Sequence, residues 1–176
     1  MIRLVNADPA SVKSHREGLV ALLQATVGGG APLGFLHPLS EADARAYWDE
    51  VAESVDHGER IVLIALDEGR VAGSAQLEFA SKQNALHRAE VQKLTVLPDC
   101  RNRGLGRMLM DAIEAEARRA GRTLLILDTR EGGDAERFYE KLGWVRSGRI
   151  PGYFYDETGT FQTTVLFRKV IDGPAP

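Results

Sequence analysis

Residues 89–120 place a strand, a glycine-bearing loop and a helix in direct succession, and that order constrains the fold more than any other stretch. The apolar-rich run 89–97 reads as a strand and stops at Pro98. The loop Arg101-Asn102-Arg103-Gly104-Leu105-Gly106 follows and leads into an amphipathic helix over 104–120, with Leu105, Leu109, Ala112, Ile113 and Ala117 on one face. A helix N-terminus leaves backbone N–H groups unpaired and carries partial positive charge. Glycines let the chain approach an anion closely and adopt φ > 0. Arg101, Arg103 and Arg107 add full charges. Backbone geometry alone therefore makes this stretch a candidate site for a phosphorylated cofactor.

Three kinds of phosphate loop compete. A nucleotide-triphosphate loop requires Gly-x-x-x-x-Gly-Lys-Ser/Thr, and both the spacing and the Lys-Ser/Thr pair are missing. A dinucleotide fingerprint requires a third glycine where Leu109 stands, and it belongs near the start of a parallel sheet. The third pattern, Arg-x-x-Gly-x-Gly between a mid-chain strand and a helix, is met by Arg101, Gly104 and Gly106.

The rest of the chain supplies the context. Strand signals fall at 2–5, 61–66, 71–79, 123–129, 144–150 and 161–170. Asp8-Pro9 opens one helix that runs to Val27, and Ser40 caps a second that runs to Val55. Asp134 caps a helix bearing Ala135, Phe138, Tyr139 and Leu142. The run 123–129 is apolar except for Asp128, as in a strand buried on both faces. Glu114 and Arg118 are expected to pair on the outer face of the central helix. The predicted architecture is a mixed α/β sheet of about seven strands, with a parallel pair at its centre and about four helices. It forms one domain over 1–171 with a flexible tail at 172–176.

Composition bounds the partners. Net charge is −3 and the pI about 5.8, against a nucleic-acid partner. There is no membrane-length apolar run and no leader, and the single cysteine, Cys100, fits a reducing compartment, so a cytoplasmic location is expected. The four histidines show no metal-ligand spacing, so no metal is expected.

The Arg101–Gly106 loop, the element order and the segment Phe138-Tyr139-Glu140-Lys141-Leu142-Gly143-Trp144 together resemble the GNAT N-acetyltransferase superfamily. His87-Arg88-Ala89-Glu90-Val91-Gln92-Lys93-Leu94, Leu127-Asp128-Thr129 and Pro151-Gly152-Tyr153 look like the branch containing tabtoxin-resistance acetyltransferase. The resemblance implies acetyl-CoA as cofactor and a small-molecule amine as acceptor, for example an amino-acid-like toxin or antibiotic. It implies cofactor contacts from the backbone of Leu94, Thr95 and Val96 and from Arg101, Asn102, Arg103, Gly104, Leu105, Gly106 and Arg107. Many members also use an Asn after the fifth strand; no Asn follows Asn102 here, so that contact is absent or replaced. Strands in this superfamily often help form dimers, so by analogy a homodimer is one assembly left open.

Amine acetylation needs a neutral amine, a polarised thioester and a proton for the leaving thiolate. Strict alternation puts Glu90, Gln92 and Leu94 on one side of the central strand, and Val91, Lys93 and Thr95 on the other. The resemblance also implies a bulge in this strand, which would break that count. Glu90 reads either as a cross-strand salt-bridge partner or as a general base or substrate anchor. Asp128 reads either as a strand-end acid or as a second pocket carboxylate. Tyr139 reads either as core packing or, by resemblance, as a general acid near the sulfur. Phe35, His87, Gln92 and Tyr153 join Glu90 and Asp128 as candidate acceptor contacts, although packing for Phe35 and a solvated loop for His87 are the plainer readings. Two other functions stay open: an acyl-CoA-binding sensor without catalysis, and a protein N-acetyltransferase.

Overall fold

A computed structural model describes residues 1–171; the flexible tail expected at 172–176 lies outside the described residues. The elements in chain order are β1 (Ile2–Asn6), α1 (Pro9–Ser14), α2 (Arg16–Gly28), α3 (Glu41–Asp56), β2 (Arg60–Asp67), β3 (Arg70–Phe79), β4 (Arg88–Val96), α4 (Leu105–Arg119), β5 (Leu124–Arg130), α5 (Asp134–Lys141), β6 (Val145–Tyr155) and β7 (Phe161–Val170). One seven-stranded sheet runs β1-β2-β3-β4-β5-β7-β6, and only β4 and β5 pair in parallel. The expected mixed α/β sheet with a central parallel pair is the observed one.

Two apolar cores sandwich the sheet. Leu105, Leu109, Met110 and Ile113 of α4 pack with Leu77, Val91, Leu125 and Phe167 on one face. Leu19, Leu22 and Leu23 of α2 pack with Trp48 and Val51 of α3 and with Val62 and Ile64 on the other. The caps follow from local chemistry. Asp8 accepts from the Ser11 amide at 2.7 Å, and Ser40 from the Asp43 amide at 3.0 Å.

Local details depart from the sequence reading in four places. The first helix is two helices, because the backbone N–H and ring Nδ1 of His15 both engage the Ser11 carbonyl, at 3.1 and 2.8 Å, and His15 leaves the helical range. Asp134 is the first residue of α5 rather than its cap; the cap is Gly133, while Glu136 reaches back to the Gly132 amide. Glu114 is buried, not on an outer face, and accepts from Lys169 Nζ at 2.6 Å as well as facing Arg118 at 3.7 Å. Finally, β6 runs on through Pro151-Gly152, where a loop was expected. It is an edge strand, where a missing N–H is tolerated, and the register shifts between Ile150 and Phe154.

The centre of the sheet sets up everything downstream. β4 pairs with β5 only at Arg88, Ala89 and Glu90, opposite Leu124, Leu125 and Ile126. Beyond that point the two strands part. On its other edge β4 carries a bulge: Ala75 alone lies between the pairs Gln76–Gln92 and Ser74–Thr95, against both Lys93 and Leu94. Lys93 takes φ 51, a left-handed value uncommon for a side chain of its size. The extra residue bends and twists the strand.

α2 lies close on β3 because residue 18 is glycine. A Cβ at Gly18 would stand 2.6 Å from Val71 Cγ2 and 2.9 Å from Val71 Cβ. Gly→Ala within a helix ordinarily stabilises by about 1 kcal/mol. Here Gly18→Ala is expected to destabilise by about 1–2 kcal/mol, because the overpacking outweighs the propensity gain. Urea unfolding checks the sign; a stabilised variant would refute the close approach.

Candidate active site

The parting of β4 and β5 opens a cavity of about 740 Å³. Its walls come from the loop between α2 and α3, from β4, from the ends of β5 and α5, and from the β6–β7 hairpin. That size suits a small molecule. Of the acceptor contacts expected from sequence, Phe35, Glu90, Gln92, Asp128 and Tyr153 all line it, as do Tyr139 and Leu94.

Glu90 is half-buried on β4 and accepts from Gln92 Nε2 at 3.3 Å. Burial pushes its carboxyl pKa up; the Gln92 hydrogen bond opposes this, and the negative charges of Asp128 and Glu78 add to the rise. Asp128 stands two residues beyond the last β4–β5 pair and accepts from Thr164 Oγ1 at 2.6 Å. β7 thus fixes one carboxylate oxygen of Asp128 with a hydroxyl. Tyr139 is buried, wedged against Phe138, Trp144 and Phe167, and its hydroxyl makes no hydrogen bond among the described residues. Desolvation, helped by the charge on Asp128, raises its pKa well above the ordinary phenol value, so the hydroxyl stays protonated at neutral pH. Tyr153 is exposed on the opposite wall, and Asp128, followed by burial and Glu90, raises its pKa too.

His87 is not brought together with the other expected acceptor contacts. It lies exposed before the N-terminal end of β4 and does not line the cavity. Its carbonyl accepts from the Thr123 and Leu124 amides where β5 begins. The parallel pairing therefore holds it at the end of β4 away from the bulge.

At the far end of β4 the loop takes the shape expected of an anion site. Asn102 and Gly104 both have left-handed φ, 58° and 82°. Gly104 is the N-cap of α4 and offers no side chain, so the first helical bond runs from Met108 to Gly104. None of the backbone amides from residue 102 to 107 has a partner among the described residues. Consecutive unpaired N–H groups at a helix N-terminus form a cradle for an anionic group. Arg101 and Arg107 are exposed beside it, and Arg101 Nε also donates to the Val96 carbonyl at 3.2 Å. Other loop side chains point elsewhere. Arg103 Nη1 is paired with Asp67 at 2.8 Å while the rest of its side chain is exposed, and Leu105 is a core residue that can face an anion only through its backbone. Gly106 is needed for packing as well, since a Cβ there would meet Phe138 at 3.2 Å. The Thr95 side chain turns away to Ser74 Oγ, 3.1 Å distant.

Lys93 lines the cavity and was not among the expected site residues. Alternation placed Lys93 on the face opposite Glu90, but the bulge turns it to the same side. Its Nζ donates to the Leu33 carbonyl and sits 5.7 Å from the Phe35 ring centre and 5.8 Å from that of Tyr47. The only sequence signal was a lysine inside a central strand. Thr164, which anchors Asp128, gave no signal at all. Among the described residues no group of His, Cys, Asp and Glu gathers as a metal site, and no helix is long and apolar enough to cross a membrane.

Comparison with known proteins agrees with this geometry. Residues 31–144 match the model of the acetyltransferase (GNAT) family, so the chain belongs to that family. It is 36% identical over 107 residues to an uncharacterised N-acetyltransferase of Azospirillum brasilense, a match spanning 60% of this chain and 62% of that protein. It is 35% identical over 113 residues to an aminoalkylphosphonate N-acetyltransferase of Salmonella typhimurium, spanning 61% of this chain and 71% of that one. Among solved structures, an N-acetyltransferase from Staphylococcus aureus superposes with TM-score 0.81 at 13% identity, covering 98% and 99% of the two chains. A Salmonella typhimurium acetyltransferase solved with acetyl-CoA gives 0.78 at 20% identity, covering 100% and 97%.

The raised pKa of Glu90 has a consequence for stability. A carboxyl that holds its proton more tightly when folded contributes stability below the unfolded-state pKa, about 4.3, and loses it as pH rises through the folded value. Glu90→Gln removes that loss while keeping an amide to meet Gln92. Its melting temperature should exceed wild type at pH 7 and converge with it near pH 4. An equal difference at both pH values would contradict the assigned burial cost.

Proposed function

We propose that the protein transfers the acetyl group of acetyl-CoA to the amine of a small acceptor held in the cavity. The observation that carries this reading is the pair Glu90 and Asp128, brought from adjacent parallel strands onto the wall of one cavity at the point where those strands part. The chain from β1 to β7 then acts as a single acyltransferase domain, and its lone cysteine suits a cytoplasmic setting.

When bound, acetyl-CoA supplies an acyl carbon activated as a thioester. The amides of residues 102–107, with Arg101 and Arg107, hold its pyrophosphate. The backbone of β4 from Leu94 to Val96, freed where β5 diverges, takes the pantetheine arm. Glu90 receives the proton that an ammonium must lose before it can attack, and its raised pKa brings the carboxylate nearer to a useful base. Asp128, fixed by Thr164, orients the same ammonium. Tyr139 keeps a proton on its hydroxyl at neutral pH and can supply it to the leaving sulfur. Phe35, Gln92 and Tyr153 close the cavity around the acceptor.

An amino-acid-like acceptor is the class to test first, including β-lactam amino-acid toxins. The segments around Glu90, Asp128 and Tyr153 support it through their likeness to the tabtoxin-resistance branch, and a role in resistance would follow. The Salmonella relative, named for aminoalkylphosphonates, supports the same chemistry of small charged amines. The two acids and Tyr139 favour an enzyme over a non-catalytic sensor. A cavity walled by loops on both sides favours a small acceptor over a protein chain.

Release of CoA thiol, measured across a panel of amines, amino acids, aminophosphonates and β-lactam amino acids, tests this reading. Glu90→Gln and Asp128→Asn should each lower kcat by about 100-fold or more, within the range for general acid–base groups, while acetyl-CoA affinity holds. Full turnover in both variants would show that the acids are wrongly assigned.

A further inference from the structure

The backbone around Lys93 is unusual in a way the acetyl transfer above does not use. Residue 93 is the extra residue of the β4 bulge and sits at φ 51. Such a conformation costs a non-glycine residue on the order of 1 kcal/mol, and here it turns a long cationic side chain into a half-buried position on the cavity wall. The ammonium has no carboxylate within ion-pairing distance among the described residues. Its neighbours are the Leu33 carbonyl and the faces of Phe35 and Tyr47, all of them neutral. These contacts stabilise a cation but do not neutralise it.

The other charges nearby do not cancel it. Arg60 is the nearby cation and is committed to Glu78 at 2.7 Å and to the Gln76 side-chain carbonyl. Glu90 is engaged by Gln92 and Asp128 by Thr164. Desolvation and the charge on Arg60 together hold the Lys93 pKa below the usual lysine value, while Asp128, Glu90 and Glu78 pull it back. The lining also holds Arg130 and Glu157, both exposed to solvent, and Asp156, engaged by Thr158, Thr160 and Gln162. Beside Glu90 and Asp128, Lys93 is the cation of the lining that is partly withdrawn from solvent and lacks a carboxylate partner among the described residues.

We infer that Lys93 is the anion-recognising group of the acceptor pocket, so that the acceptor carries a carboxylate, phosphonate or phosphinate in addition to its amine. This rests on the acetylation reading only in that the acceptor occupies the same cavity. The amine faces Glu90 and Asp128, and the acid group faces Lys93. Such a ligand supplies the missing counter-charge and has its own two charges met by the protein.

A competing role for Lys93 is to pin the loop that carries Leu33, and the experiment separates the two. Matched pairs serve as probes: glycine and β-alanine against their amides, and 2-aminoethylphosphonate against its diethyl ester. Each is titrated calorimetrically into CoA-loaded protein, and each is assayed for acetylation. In the wild type, masking the acid group should weaken binding and kcat/KM by about tenfold or more, the usual worth of a hydrogen bond to a charged group. The carboxylate and phosphonate arms show which acid is preferred. Lys93→Met should bring the masked and unmasked probes within about twofold of each other, whereas Lys93→Arg should keep the preference. If Lys93→Met does not fold, the wild-type and Lys93→Arg ratios decide.

Equal affinity for masked and unmasked probes in the wild type would overturn the anion site, as would no binding of any probe at millimolar concentration. A Lys93→Met variant that weakens both members of each pair in proportion would assign Lys93 to loop positioning instead. Charge-selective binding without acetylation would keep the anion site and overturn the acetyl-transfer reading. Acetylation without charge preference would do the reverse.

Discussion

β4 and β5 hydrogen-bond for three residues and then separate, while a bulge on the opposite edge of β4 bends it at Lys93. The rest of the proposed site depends on this interrupted pairing. A fully zipped parallel pair would leave no room between the strands for a cavity and would consume the β4 backbone groups. It would also bury Asp128 against its neighbour strand. Because the pairing stops at Glu90 and Ile126, Glu90 is still braced by the sheet, whereas Asp128 stands free enough to be set by Thr164 from β7. The bulge adds a third charged group by turning Lys93 to the same side.

Two electrostatic environments divide the work along one strand. At its C-terminal end the chain offers unpaired amides, a helix dipole and exposed arginines, all favourable to a highly charged, solvated anion. Nearer its start the environment is drier. There burial raises the Glu90 and Tyr139 pKa values and lowers that of Lys93. Each shift moves toward the neutral form, as expected when solvent is withdrawn and counter-charges are incomplete. A phosphate-bearing donor at one end and a small charged amine at the other would meet where the two environments join, beside Leu94 and Tyr139.

What the sequence made legible was local. The cradle at residues 102–107 follows from glycine spacing and a helix start, and the caps at Asp8 and Ser40 from side chains three residues from their partners. The sheet with its parallel pair followed from apolar periodicity and connection order. The resemblance implied a bulge in β4 but not its position, which is set by the register between β3 and β4, so the face of Lys93 was not legible from alternation. The exclusion of His87 depends on where parallel pairing starts. The extension of β6 through Pro151 depends on its being an edge strand. The burial of Glu114 depends on Lys169, 55 residues away. In each case the deciding partner is distant in sequence.

The central claim is that the amides of residues 102–107 hold the cofactor's pyrophosphate while the Glu90–Asp128 cavity stays open for the acceptor. Amide chemical-shift mapping during a titration with CoA tests it directly. The account predicts saturable shifts that are largest at residues 102–107 and extend along β4 from Leu94 to Val96, with Phe35 and Tyr153 little moved. Saturable shifts centred on Phe35 and Tyr153, with the 102–107 amides unmoved, would contradict it.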